Sequence, residues 1–359
     1  MAAVKPISSE SFGNYQLTGS IFKCIDAHTC GNPVRVVVNG GPALEGNNMS
    51  EKRQHFLKEY DWIRKGLMFE PRGHDMMSGS ILYPPHDPAN DVAVLFIETS
   101  GCLPMCGHGT IGVATVLVEK NLVAVTEPIT TVRLDTPAGL VVVDVQVKAG
   151  KAEKVTLTNV PSFSYQLDQE VDVPGYGKIK YDMAFGGNFY AIIPIDRVGI
   201  EFIRENGQKF LTAGLAISDA INQQNRPVHP ENPDIAICHH IDFIAPGNNS
   251  LHWKNAMAIH PGWFDRSPCG TAKKQCLPAF INSPFTRFTC KKSFARSRRK
   301  SRFTNIKSRR PLSCLTAALP FLLSPATAKR PPAGWTTSSC ANLTTGWPIC
   351  VNSRSAGKP

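Results

Sequence analysis

The chain has 359 residues, 42% hydrophobic and 19% charged, long enough for one large or two medium domains with real cores and too apolar for a disordered chain. No run of 18 apolar residues exists to cross a bilayer, and the polar start (residues 1–22, with Glu10) lacks the pattern of a secretory signal, so a cytoplasmic protein with no membrane partner is expected. The net charge of +11 belongs to residues 273–359, which hold 17 Lys+Arg and no Asp or Glu; residues 1–272 carry 22 basic and 28 acidic residues, so no nucleic-acid partner is expected of them.

Taken in chain order, Val34–Val38 is a β-branched run after the turn signal Cys30-Gly31-Asn32-Pro33 and reads as a strand. Glu51–Gly66 has helical spacing, with Phe56, Leu57, Tyr60 and Ile63 near one face. Val92–Ile97 is continuously apolar, as in a strand buried on both faces. Cys106–Leu122 reads as a helix with a small-residue N-terminus at Gly107 and Gly109. Strands follow at 139–147 and 155–160. Gly186-Gly187-Asn188 marks a turn or bulge beside a strand, 202–222 a long helix, and 241–245 and 256–259 further strands. The alternation suggests an α/β protein of two units, 1–150 and 151–272, followed by a basic, irregular tail over 273–359.

The cysteines bear on the chemistry. Among Cys24, Cys30, Cys102, Cys106, Cys238 and Cys269 no pair has C-x-x-C spacing, and no metal is expected. Cys106 and Cys269 share another context: each begins a Cys-Gly dipeptide after a strand-like segment, followed by small polar residues. Each sulfur would sit at a helix N-terminus, where free backbone N–H groups and the dipole favour a thiolate and also bind a carboxylate. Two thiols on opposite faces of one carbon suit inversion of a stereocentre next to a carboxylate: one takes a proton, the other returns one. Two buried, inert cysteines and a redox pair are the alternatives.

These residues resemble the proline racemase family, in particular its 4-hydroxyproline 2-epimerase branch, over about residues 20–272. The motifs are Asp26-Ala27-His28-Thr29-Cys30-Gly31-Asn32-Pro33-Val34-Arg35, Pro71-Arg72-Gly73-His74-Asp75-Met76-Met77-Ser78-Gly79, Met105-Cys106-Gly107-His108-Gly109-Thr110, Gly186-Gly187-Asn188-Phe189 and Asp265-Arg266-Ser267-Pro268-Cys269-Gly270-Thr271. Several long motifs in order are a specific signal. The resemblance implies two pseudo-symmetric α/β halves with the active site in the cleft between them. It implies cofactor-independent epimerisation at Cα of a proline-type imino acid, trans-4-hydroxy-L-proline to cis-4-hydroxy-D-proline. Cys106 is then the acceptor thiolate and Cys269 the donor thiol, with roles exchanged in reverse. Gly107, His108, Gly270 and Thr271 hold the substrate carboxylate and Asp265 meets the ring nitrogen. Ser78 leaves room for a ring hydroxyl, and His240 contacts it, with His239 the alternative one residue away. A homodimer is left open.

The sequence departs from the family after Ala272. Lys273-Lys274-Gln275-Cys276-Leu277-Pro278 breaks the expected pattern, and Pro278 would interrupt the helix that should activate Cys269. The tail reads as translated out of frame, with no stable structure expected beyond short helical fragments and the chain expected to be misfolded or inactive as written. A proline racemase, a trans-3-hydroxyproline dehydratase, and a nucleic-acid or membrane-surface binder acting through the tail stand as alternatives. Against the dehydratase, that branch replaces one of the two cysteines with Ser or Thr.

Overall fold

A computed structural model describes residues 21–29, 31–247 and 253–266, together with the backbone of three strands in the tail. The first strands, β1 (Lys23–Thr29) and β2 (Asn32–Asn39), form an antiparallel hairpin across the predicted Gly31 turn. A helical stretch follows as α1 (Met49–His55), a π-helical turn (Phe56–Tyr60) and α2 (Asp61–Met68). Asn48 caps it, accepting from the Glu51 N–H, while the Glu51 carboxylate accepts from the Asn47 N–H.

Strands β3 (Ser78–Tyr83), β4 (Val92–Glu98) and β5 (Gly101–Leu103) lead to helix α3 (Gly107–Glu119). The run 92–97 is apolar throughout because β4 is covered on both sides. Val92, Val94 and Phe96 join the main core with Ile111, Val113 and Ala114 of α3, whereas Ala93, Leu95 and Ile97 join a second core with Met49, Phe56, Ile63 and Leu67. Helix α3 is apolar all round and buried from His108 to Val118, so its N-terminus opens into the interior.

Strands β6 (Ile129–Thr136), β7 (Gly139–Lys148) and β8 (Lys151–Asn159) continue the first sheet in the order β1-β2-β3-β4-β6-β7-β8. Strand β8 pairs with β7 in the first sheet, and the second sheet opens at β9. That sheet holds β9 (Phe163–Val173), β10 (Gly177–Phe185), β11 (Phe189–Pro194), β12 (Cys238–Pro246), β13 (Trp253–Ile259) and β14 (Trp263–Phe264), ordered β14-β13-β12-β11-β10-β9. Helix α4 (Gly207–Gln224) is the crossover between the parallel strands β11 and β12. It starts later than the reading 202–222 because Arg204–Asn206 is a single 3₁₀ turn. Gly214 lets α4 lie close on the sheet, since a Cβ there would meet the Ala258 methyl at 2.6 Å.

The tail differs from the expectation of helical fragments wherever it is described. Thr286–Lys292 (β15) pairs antiparallel with β8, and Ser339–Leu343 (β16) and Pro348–Val351 (β17) extend the same sheet. The physical reason is the open edge of β8, whose unpaired backbone groups accept an extended segment such as Thr286-Arg287-Phe288-Thr289. The sequence break over 273–280 and the helix expected after Cys269 lie outside the described residues.

Candidate active site

The site is built where α3 begins. Cys106 is the N-cap residue of α3, in extended conformation, and its carbonyl accepts from the Thr110 N–H at 2.9 Å and the Thr110 hydroxyl at 2.8 Å. Gly109 leaves room for the sulfur: a Cβ there would come within 3.1 Å of Cys106 Sγ, and the Gly109 N–H points at the thiol. The thiol donates to Glu98 Oε1 at 3.1 Å, and His108 Nδ1 lies 3.4 Å away, as donor or acceptor according to tautomer.

Glu98 ends β4 and is 2% exposed. Its neighbours are set by strand register: Ser78 opens β3 directly opposite it and donates to Oε1 at 2.9 Å, and Ser100 donates to Oε2 at 3.1 Å. Thr29 on β1 donates to the His108 carbonyl at 3.1 Å, fixing the first turn of α3. The second half closes over this group. Asn188, in the β10–β11 turn, donates to the carbonyl of Met105 at 2.6 Å. Gly187 before it has φ +100°, and a Cβ there would meet Met105 Cβ at 2.8 Å, so glycine alone fits both the turn and the approach.

Asp265, just after β14, accepts from Asn32 Nδ2 at 2.7 Å, and the Arg266 N–H donates to Asn32 Oδ1 at 3.2 Å. Asn32 sits at the start of β2, so the chain leading to Cys269 is tied to the first half. His240, on β12, packs against the Tyr190 ring at 4.8 Å between centroids. The charges of both Glu98 and Asp265 act on His240, which puts it at the same centre. His239, one residue earlier on the strand, instead faces Arg53, Arg64 and His260 besides its neighbour. Two buried ring nitrogens, His108 Nε2 and His240 Nδ1, meet no hydrogen-bond partner among the described residues.

Opposing influences act on the Cys106 thiol. A helix N-terminus should favour a thiolate at Cys106, and the Gly109 N–H does pull its pKa down. Burial dominates, however, and the adjacent Glu98 charge and hydrogen bond add to it, with a smaller contribution from Asp265. The net effect of burial and the adjacent carboxylate is to raise the Cys106 thiol well above its ordinary pKa. Burial also pushes His240 down, although Glu98 and Asp265 oppose the shift, and it drives His239 down to about 3.

Of the residues read from the sequence, Ser78, Cys106, Gly107, His108, Asp265 and His240 fall among the described residues. Ser78 is joined to Cys106 through Glu98, Asp265 acts electrostatically on Cys106, and Glu98 and Asp265 act on His240. Cys269, Gly270 and Thr271 lie outside the described residues. Sequence reading missed Glu98 and Ser100 altogether and gave Asn32 and Asn188 no role. The only signal for Glu98 was an acid ending an otherwise apolar run. One set of ligand-type atoms converges among the described residues, on Glu98, Cys106 and His108, all within 4.8 Å of one another. Hydrogen bonding within the set accounts for that approach, and the chemistry available is proton transfer.

Comparison with known proteins agrees in kind. The family described as proline racemase matches residues 24–279. The 4-hydroxyproline 2-epimerase of Streptosporangium roseum is 60% identical over 254 residues, which is 71% of this chain and 76% of that protein. The 4-hydroxyproline 2-epimerase 2 of Brucella anthropi is 51% identical over 251 residues, 70% of this chain and 74% of its own. Among solved structures, a hydroxyproline epimerase from Agrobacterium vitis with bound trans-4-hydroxy-L-proline superposes with a TM-score of 0.69 at 28% identity, covering 77% of this chain and 85% of that one. A probable proline racemase from Agrobacterium radiobacter with bound carbonate gives 0.69 at 29% identity, covering 77% and 86%.

Proposed function

The chain belongs to the proline racemase family of isomerases, and from that membership and the Cys106 site we propose that it epimerises 4-hydroxyproline at Cα. The observation that carries the reading is a buried thiol at a helix N-terminus, hydrogen-bonded to a carboxylate, with a second carboxylate, Asp265, brought to it by the other half.

In this reading the substrate carboxylate sits at the N-terminus of α3. The backbone N–H groups of Gly107 and His108 lack intrahelical partners there, and the helix dipole favours an anion. Asp265 faces the cationic ring nitrogen. With Cα between Cys106 and Cys269, one sulfur removes the proton as the other delivers one to the opposite face, and the configuration inverts. Charge developing on the carboxylate in the transition state is met by donors already in place, beside the Met105–Asn188 contact that joins the two sheets. The free ring nitrogens of His108 and His240 are available to substrate oxygens, and His240 is assigned the ring hydroxyl. Cys269 follows Asp265 by four positions, a chain reach of at most about 14 Å between their Cα atoms. A cytoplasmic location and a homodimer remain part of this reading, with a small imino acid as the partner.

The test is direct. The full chain incubated with trans-4-hydroxy-L-proline should yield cis-4-hydroxy-D-proline, resolved by chiral chromatography. A pyrroline-carboxylate product, or turnover of proline with none of hydroxyproline, overturns the assignment.

A further inference from the structure

We propose that Glu98 is a positioning residue that holds Cys106 in its protonated, proton-donating form in the free protein. The geometry carries this. Oε1 receives the Cys106 thiol at 3.1 Å and the Ser78 hydroxyl at 2.9 Å, and Oε2 receives Ser100 at 3.1 Å. Three donors from three segments satisfy a carboxylate that is almost fully buried. No Lys or Arg forms a salt bridge with it among the described residues, and Arg64 reaches only its backbone carbonyl.

An acceptor of this kind welcomes a thiol and opposes a thiolate, because ionised sulfur would set two negative groups 3.1 Å apart with water excluded. The other groups facing the sulfur do not reverse this. Asp265, from the segment after β14, adds negative charge; His240, from β12, is pushed towards its neutral form by burial; His108, from α3, lies 3.4 Å from the sulfur. The Gly109 N–H favours the thiolate, as His108 Nδ1 does in the tautomer that donates, but neither carries a charge to set against the carboxylate. Glu98 therefore gives the two halves different resting states: Cys106 begins as the acid, and the base must be supplied from the opposite side. A structural role alone, tying the ends of β3 and β4, makes no demand on the Cys106 proton.

The proposal deepens the acid–base reading of Cys106, but its test needs no turnover, so the two can fail separately. The pH dependence of iodoacetamide alkylation at Cys106 is followed by mass spectrometry of its peptide. Three full-length proteins are compared: the unaltered chain, Glu98→Gln, which keeps the shape without the charge, and Glu98→Asp, which keeps the charge. The midpoint should fall by at least about one pH unit in E98Q, a roughly tenfold faster reaction at pH 8, and stay near the starting value in E98D. An unchanged or higher midpoint in E98Q overturns the proposal, as does an equal shift in both variants. Should E98Q fail to fold, Ser100→Ala asks the same question. Removing a donor from Oε2 concentrates charge on the carboxylate, so the Cys106 midpoint should rise; a fixed or falling midpoint is the overturning result.

Discussion

Asn32 is the residue through which the first half grips the segment leading to Cys269, and Asn32→Ala measures how much that grip matters. The side chain is 1% exposed and makes two hydrogen bonds across the halves, to Asp265 Oδ1 at 2.7 Å and from the Arg266 N–H at 3.2 Å. A hydrogen bond to a charged group contributes about 1.5–3 kcal/mol and a neutral one about 0.5–1.5. Asp265 is only partly buried, so water replaces some of the loss, and a net of about 2 kcal/mol is the working figure. If Asp265 must be fixed for substrate to bind productively, kcat/KM for hydroxyproline epimerisation falls roughly thirtyfold. Polarimetry gives the rate, and thermal unfolding by circular dichroism is followed alongside. Arg266→Ala serves as the comparison: it removes only the exposed guanidinium contact to the Gly31 carbonyl and should cost less than about fivefold. A kcat/KM within twofold of the starting protein for N32A would refute the idea that this contact aligns the halves. So would losses in N32A and R266A of equal size.

Further outcomes follow from the same structure. Cys106→Ser should lower kcat by about 10²–10⁴-fold while leaving the circular dichroism spectrum unchanged, since it removes an acid–base group from a packed site. His240→Gln should reduce kcat/KM for hydroxyproline about tenfold more than for proline, the worth of one hydrogen bond to the ring hydroxyl, read from parallel assays of the two substrates. Burial raises the buried thiols Cys102 and Cys238 from 9.0 to about 12. A raised folded-state pKa stabilises below the unfolded value and is lost as pH climbs, so between pH 7.5 and 9.5 each thiol costs about 0.8 kcal/mol. Urea midpoints should drop over that interval, and drop less in Cys102→Ala/Cys238→Ala; a pH-independent midpoint contradicts the burial.

What was legible in the sequence had short-range causes. The β-branched run 34–38, the apolar run 92–97 and the Cys-Gly start at 106 each carry their structure locally, and they became β2, β4 and α3. The π turn at Phe56–Tyr60 left no mark, because the apolar spacing of Phe56, Ile63 and Leu67 reads equally as one α-helix. Strands β9 and β10 are largely exposed on one side and polar in composition, so apolar periodicity missed them. Glu98 was hidden for another reason. Its meaning lies in the β3–β4 register, which puts Ser78 opposite it, and in a chain reversal that brings Cys106 back to the end of β4. At Cys106 the helix N-terminus was legible in the Cys-Gly start, whereas the opposing influences, burial and the Glu98 carboxylate, come from the packing of distant segments.

The central claim is that Cys106 exchanges a proton with Cα on one face while a second acid–base group serves the other. Proton NMR in deuterium oxide, followed through the first turnovers on trans-4-hydroxy-L-proline, tests it most directly. The account predicts one deuterium at Cα of each inverted product, little exchange into unreacted substrate, and neither event with Cys106→Ser. Deuterium entering the substrate as fast as it enters product, or a Cys106→Ser protein that still inverts at full rate, would contradict it.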